Sequence, residues 1–259
     1  MDIGINIYSK RNYEEIISAL LENGIHKTFV CIDHPQFDEV MEALKKTNIE
    51  VDNFHAPYRG QNTIWAEGEA GEEMLAKFLH SVDCCVKYNV GLMVAHVSSG
   101  RPMPEISEIG LARFDRLMAY AKENGVKIAF ECHRYVENVK FIMERYPDAG
   151  FCFDTCHEHA FTPGVKYMPM WGNRLAATHI SDNEIVSDKD MHMLPFDGII
   201  DFENIAREIA ECGRDVTLML EIKPDNHSLY ADVSIKDYYA EAAKRIRKFE
   251  IMVENFKKV

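Results

Sequence analysis

Eight short apolar runs recur along the chain, at residues 3–7, 27–32, 51–55, 91–97, 126–131, 150–154, 175–180 and 216–222. They are rich in Val, Ile, Phe and Leu and lack strict polar alternation, which predicts strands buried on both faces. Longer stretches with apolar residues at helical spacing lie between them. They predict helices over 13–21, 37–44, 72–86, 111–121, 136–143, 202–210 and 235–256. The third carries Met74, Phe78, Leu79, Val82 and Cys85 on one stripe, and Gly24, Gly125 and Gly213 stand where three of the others stop. The stretch 160–171 holds Pro163, Gly164 and Pro169, so its helix is expected to be short or distorted.

Strand and helix alternating eight times predict an α/β fold with a parallel sheet. Eight such units in 259 residues match a (β/α)8 TIM barrel, read as a single domain over 1–259. A doubly wound open sheet would usually show a glycine-rich turn after its first strand. Here that turn is Tyr8-Ser9-Lys10-Arg11, and no dinucleotide or phosphate-loop motif occurs elsewhere.

Charge narrows the partners. Lys and Arg number 29 against 42 Asp and Glu, a formal net charge of −13. Nucleic-acid binding draws on clustered cations, and so does adhesion to anionic membrane; both are disfavoured. The loop 59–71 offers Arg59 against Glu67 and Glu69. The loop 182–198 offers Lys189 against Asp182, Glu184, Asp188, Asp190 and Asp197. A small-molecule substrate fits better. The seven cysteines are odd in number and form no Cys-x-x-Cys pair, which points to a reducing compartment. No secretory leader and no apolar run of about 20 residues is visible, so a cytoplasmic location is expected. Homo-oligomerisation is left open.

In a TIM barrel the chemistry sits at the C-terminal ends of the strands. The third to eighth runs end in, or just beside, His55, His96, Glu131, Asp154, His179 and Glu221. His157 follows Asp154 by three residues. Asp190 and His192 stand two apart in the loop after the seventh strand, so an extended segment would present both to one side. One mouth would thus gather four carboxylates and five imidazoles. Carboxylates that close repel one another and take up protons unless cations intervene. Mixed His and carboxylate ligation suits zinc, manganese or iron more than calcium.

The set resembles the xylose isomerase-like TIM-barrel superfamily, which includes sugar isomerases and epimerases and endonuclease IV. The similarity covers essentially the whole chain and is most specific at Glu131, Asp154-Thr155-Cys156-His157, His179-Ile180-Ser181-Asp182-Asn183 and Glu221. In the isomerase branch, the resemblance implies one divalent ion held by Glu131, Asp154, His179 and Glu221. In the endonuclease IV branch it implies three zinc ions, with His55, His96, His157, Asp190 and His192 as further ligands. His55-Ala56-Pro57-Tyr58 is also close to that branch. Zinc or manganese, from one to three ions, is therefore expected. The Arg that often follows the His-x-x-x-Asn stretch in epimerases is Glu184 here, and the Pro-Gly-Arg stretch of hydroxypyruvate isomerases is absent.

The function this implies is isomerisation or epimerisation of a sugar, sugar phosphate or related keto-polyol, with a dehydratase in the same class. Glu131 and Glu221 would pass a proton at the carbon beside a metal-polarised carbonyl. His157 would steady a substrate hydroxyl if it is not a ligand. Lys223 and His133 stand two residues after Glu221 and Glu131 and are candidate substrate contacts. Tyr8, Trp65 and Trp171 are candidate apolar rims over a sugar ring. Cys132 and Cys156 are read as small hydrophobes beside the ligands. A trinuclear phosphoesterase similar to endonuclease IV is the alternative, and a non-catalytic metal- or ligand-binding barrel is the third reading.

Overall fold

The computed structural model describes residues 1–184 and 189–258; Asp188, counted above among the loop acids, lies outside them. Eight parallel strands run β1 (Ile3–Ile5), β2 (Lys27–Cys31), β3 (Glu50–His55), β4 (Leu92–Ala95), β5 (Lys127–Glu131), β6 (Gly150–Asp154), β7 (Leu175–His179) and β8 (Leu218–Leu220). They are hydrogen-bonded in the order β7-β6-β5-β4-β3-β2-β1-β8. The ring closes through an isolated parallel bridge between Ile180 and Leu220, with Ile180 N–H donating to Met219 O at 2.8 Å. This is a (β/α)8 TIM barrel, with each apolar run of the sequence supplying one strand.

The helices are α1 (Tyr13–Glu22), α2 (Phe37–Leu44), α3 (Glu69–Tyr88), α4 (Glu108–Glu123), α5 (Val136–Arg145), α6 (Thr155–Phe161), α7 (Met168–Trp171), α8 (Phe202–Glu211) and α9 (Ile235–Lys257). Their buried stripes face the sheet; in α3 this stripe includes Met74, Phe78, Val82 and Cys85. Gly125 (φ 69°) and Gly213 (φ 65°) take left-handed backbone just past α4 and α8, where a side chain would be strained. The 160–171 stretch is broken into α6 and the single turn α7, which has proline near its start.

Strand parity positions the mouth. Val94, Ala129, Cys152 and Ala177 form a small buried cluster of their own. Glu131, Asp154 and His179 lie two residues beyond the last three, so they share that face one layer higher. Register brings these ends level, with Glu131 opposite Cys152 and Asp154 opposite His179.

Candidate metal centre

The polar strand ends converge. Glu131 is fully buried and sits at the middle. Its Oε2 lies 3.1 Å from His55 Nε2 and 2.8 Å from His96 Nε2; its Oε1 lies 2.9 Å from His179 Nδ1. His179 Nδ1 is also 3.1 Å from Glu221 Oε2. The ring of His179 stacks on Phe29 at 4.7 Å, which fixes its plane. Glu131, Asp154, His179 and Glu221 each offer an atom within 4.8 Å of the others.

Asp154 is held by its own chain. As the N-cap of α6 it accepts the His157 N–H on Oδ1 at 2.6 Å. Its Oδ2 is buried and has no hydrogen-bond partner. The Cys132 thiol lies against the Asp154 backbone, accepting its N–H at 3.2 Å. Burial lifts that thiol well above its ordinary range, so it packs rather than reacts. Cys156 is raised by burial in the same way.

A second set meets the first at its rim. His157 Nδ1 is 3.0 Å from Cys132 O, and its Nε2 is 3.2 Å from Asp190 Oδ2. Asp190 Oδ2 also contacts His192 Nε2. His192 adopts φ 47°, uncommon for a residue with a side chain, and its Nδ1 faces Glu221 O at 3.1 Å. The left-handed turn thus aims the ring back at the mouth. Asp182 secures the base of this loop. Its carboxylate accepts the N–H groups of Asn183 and Gly198 at 2.8 Å and of Ile200 at 3.1 Å. Asp182→Ala would leave three donors without this acceptor and is expected to cost about 2–3 kcal/mol. A urea midpoint shift with unchanged slope would show it, and a loss below about 1 kcal/mol would contradict the anchoring role.

All nine ligand candidates therefore meet at one mouth. Among the substrate candidates, Lys223 reaches Glu221 Oε1 at 3.1 Å and His192 Nε2 at 2.5 Å. Tyr8 lines a cavity of about 350 Å³ with Lys223, Glu221, His55 and Tyr58. His133 is buried and touches His96 and His157, with ring centroids 4.7 and 4.6 Å away. Trp65 does not reach the mouth. Residues 61–65 form a 3-10 turn that folds Trp65 into the core, where it packs on Phe114 and donates its indole N–H to Val97 O at 3.0 Å. Gly110 leaves the slot: a Cβ there would come within 2.3 Å of the indole ring. Trp171 is likewise buried, against Phe151 and Tyr167.

Tyr58 carries more of the site than its motif announced. Its ring stacks on His96 at 5.3 Å, and it lines both the larger cavity and a neighbouring one of about 210 Å³. Arg134 and Phe161 line the smaller cavity, and Asp33 the larger. Asp33 and Arg134 follow β2 and β5 by two and three residues, the only sequence signal they had.

Electrostatics fit a cation. Burial raises Asp154 to about 7; Glu131, Asp190 and Glu221 add to this while His157 opposes it. Burial opposes ionisation of Glu131 too, but His179 and His96 outweigh it and hold the carboxyl well below its usual range. Glu221 is held low against burial by Lys223, His192 and His179. Burial keeps His96 neutral, down to about 4, although Glu131 pulls it the other way. Four acids crowd the mouth, and one buried oxygen, Asp154 Oδ2, has no hydrogen-bond partner. A divalent ion bound by Glu131, Asp154, His179 and Glu221 would satisfy that oxygen and relieve the repulsion.

The barrel carries a group of side chains that could hold a metal ion, and comparison with known proteins gives the family. Residues 32–249 match the family model described as xylose isomerase-like TIM barrel, and the chain belongs to that family. The protein y4fM of Sinorhizobium fredii is 33% identical over 149 residues. That match covers 54% of this chain and 46% of y4fM, so it spans about half the length of that relative. Among solved structures, the IOLI protein with a binding zinc atom superposes with a TM-score of 0.77 at 19% identity, covering 99% of each chain. D-psicose 3-epimerase with D-tagatose, from Clostridium cellulolyticum H10, gives 0.76 at 14% identity over 98% of this chain and 99% of its own. L-ribulose 3-epimerase gives 0.74 at 13% identity over 100% and 96%. At these identities the likeness is one of fold. Among the described residues no helix is long and apolar enough to cross a membrane.

Proposed function

We propose that the protein is a divalent-metal-dependent isomerase or epimerase acting on a sugar, sugar phosphate or related keto-polyol. The observation that carries this reading is the group Glu131, Asp154, His179 and Glu221 within mutual ligand distance, beside a cavity large enough for a small carbohydrate. The zinc-bound IOLI protein and the 3-epimerases that share this fold agree with it. A bound divalent ion would polarise a substrate carbonyl and acidify the adjacent C–H. Glu221 lines both cavities and its carboxyl is held well below its usual range by Lys223, His192 and His179, which supports its assignment as the base that takes that proton. Glu131 is fully buried and lines neither cavity; as the second carboxylate of the group it is the candidate for returning the proton. Lys223 keeps its charge, because Glu221 and Asp190 outweigh its burial, and it offers a cation to a substrate oxygen or phosphate. Tyr8 and Tyr58 wall the cavity. Tyr8 stays protonated and can donate, since burial and Asp225 lift it to about 12.

The test is isotope exchange. Manganese-loaded protein is incubated in D2O with ketopentoses, ketohexoses and their phosphates, and deuterium is followed by NMR at the carbon beside the carbonyl. Incorporation with at least one member of the panel is expected. A metal-loaded protein that exchanges none of them would overturn the reading.

One observation favours a second reading. Asp190 contacts both His157 and His192, so the nine residues that a trinuclear phosphoesterase would use as ligands lie at one mouth, which supports that reading. That reading predicts zinc-dependent incision of a duplex carrying an abasic site. The acidic loops around the mouth oppose a DNA groove.

A further inference from the structure

We propose that His96, His133 and His157 form a second, nitrogen-rich cation site with Asp190 at its edge, selective for a zinc-type divalent ion. Each of the three offers a ring nitrogen within 4.8 Å of the other two. They come from three separate elements: His96 directly follows β4, His133 lies two residues beyond β5, and His157 is in the first turn of α6. All three are at least 95% buried.

Ring spacing fits a shared ion. A metal–nitrogen bond of about 2.0–2.1 Å puts an imidazole centroid roughly 3 Å from the metal, so rings on a tetrahedral ion stand roughly 5 Å apart. The observed centroid separations are 4.7 Å for His96–His133, 4.6 Å for His133–His157 and 5.8 Å for His96–His157. The mutual tilts are 40°, 72° and 78°, so the rings splay around a common point instead of stacking.

Hydrogen bonding points the same way. Ligand imidazoles commonly give their second N–H to a carbonyl or carboxylate. His157 Nδ1 faces Cys132 O at 3.0 Å, and His96 Nε2 faces Glu131 Oε2 at 2.8 Å. Nδ1 of His96 and Nδ1 of His133 are buried with no partner at all. An unsatisfied buried polar group costs about 1–3 kcal/mol, so two in contacting rings are expensive as mere packing. The cluster lines the smaller cavity, where Tyr58 and Asp190 also stand.

Donor chemistry separates the two sites. A set dominated by three imidazoles suits zinc, nickel or copper, whereas manganese prefers carboxylate oxygen. The group Glu131, Asp154, His179 and Glu221 accepts either class; the histidine trio discriminates. The proposal does not rest on the sugar reading, since it uses none of those four donors; it takes His133 and His157 as ligands where that reading has them touch substrate.

The experiment is elemental analysis of metal-stripped protein reloaded with Zn2+ or Mn2+ and freed of excess. Wild-type protein is expected to hold one more zinc than manganese per chain. His133→Asn and His133→Gln are expected to lose one zinc and keep the manganese count. Asp154→Asn should lose the other ion and keep the histidine-bound zinc. A His133 variant that retains the wild-type zinc count overturns the proposal. Should both variants fail to fold, equal zinc and manganese counts in wild-type protein overturn it equally. Loss of zinc in the His133 variants with no loss in Asp154→Asn would support this site while contradicting the carboxylate centre.

Discussion

Glu221→Gln is expected to cut deuterium exchange beside the substrate carbonyl by about 10²–10⁴-fold, the usual contribution of a positioned general base. The change keeps the shape of the side chain and removes its charge. Glu221 lines both cavities, and Lys223, His192 and His179 keep it ionised in spite of its burial. The glutamine would also weaken the pairing with Lys223 at 3.1 Å and with His179 at 3.1 Å. Metal retention must therefore be measured on the same sample. Exchange that persists near the wild-type rate, with metal bound, would take the base role away from Glu221.

Arg113→Ala is expected to lower stability by about 3–5 kcal/mol, through lost hydrogen bonds and a guanidinium-sized void. Arg113 is 1% exposed in α4. It donates to Ile64 O at 2.8 Å, Ala66 O at 2.5 Å and Gly68 O at 3.3 Å, and its Nε bonds Glu72 at 2.9 Å. Gly71 is required beside it, because a Cβ there would lie 2.1 Å from Nη1. These carbonyls belong to the 61–65 turn and the segment that follows it, and Gln61 in that turn donates to His96 O. Arg113 therefore steadies one wall of the site from the helical layer. A denaturant midpoint with unchanged slope reports the cost, and a change under about 1 kcal/mol would contradict it.

The barrel is legible in the sequence because its strands are buried on both faces. Residues 126–131 and 150–154 read as apolar runs ending in an acid; the second is β6 to the residue, and the first begins one residue before β5. β8 is shorter than its apolar run and stops at Leu220, so Glu221 lies one residue past the ladder although its N–H still bonds Ile180 O at 3.2 Å. The ligand candidates are legible for the same reason, since a charged residue ending a buried run must face the mouth. Loop side chains are harder. Trp65 and Tyr58 both follow β3, and periodicity does not separate them. The 3-10 turn over Gln61–Trp65 and the slot at Gly110 send Trp65 into the core, while Tyr58 stays against His96. His133 reads from the chain as a substrate contact. Its place between His96 and His157 depends on where the end of β4 and the start of α6 bring those two rings, which no local pattern encodes.

Calorimetric titration of metal-stripped protein with Mn2+ tests the central claim most directly. The account predicts one tight site per chain in wild-type protein and its loss in Asp154→Asn, whose carboxylate presents the unpaired oxygen at the heart of the mouth. Absence of manganese binding, or binding that Asp154→Asn leaves untouched, would contradict the metal centre on which the proposed chemistry rests.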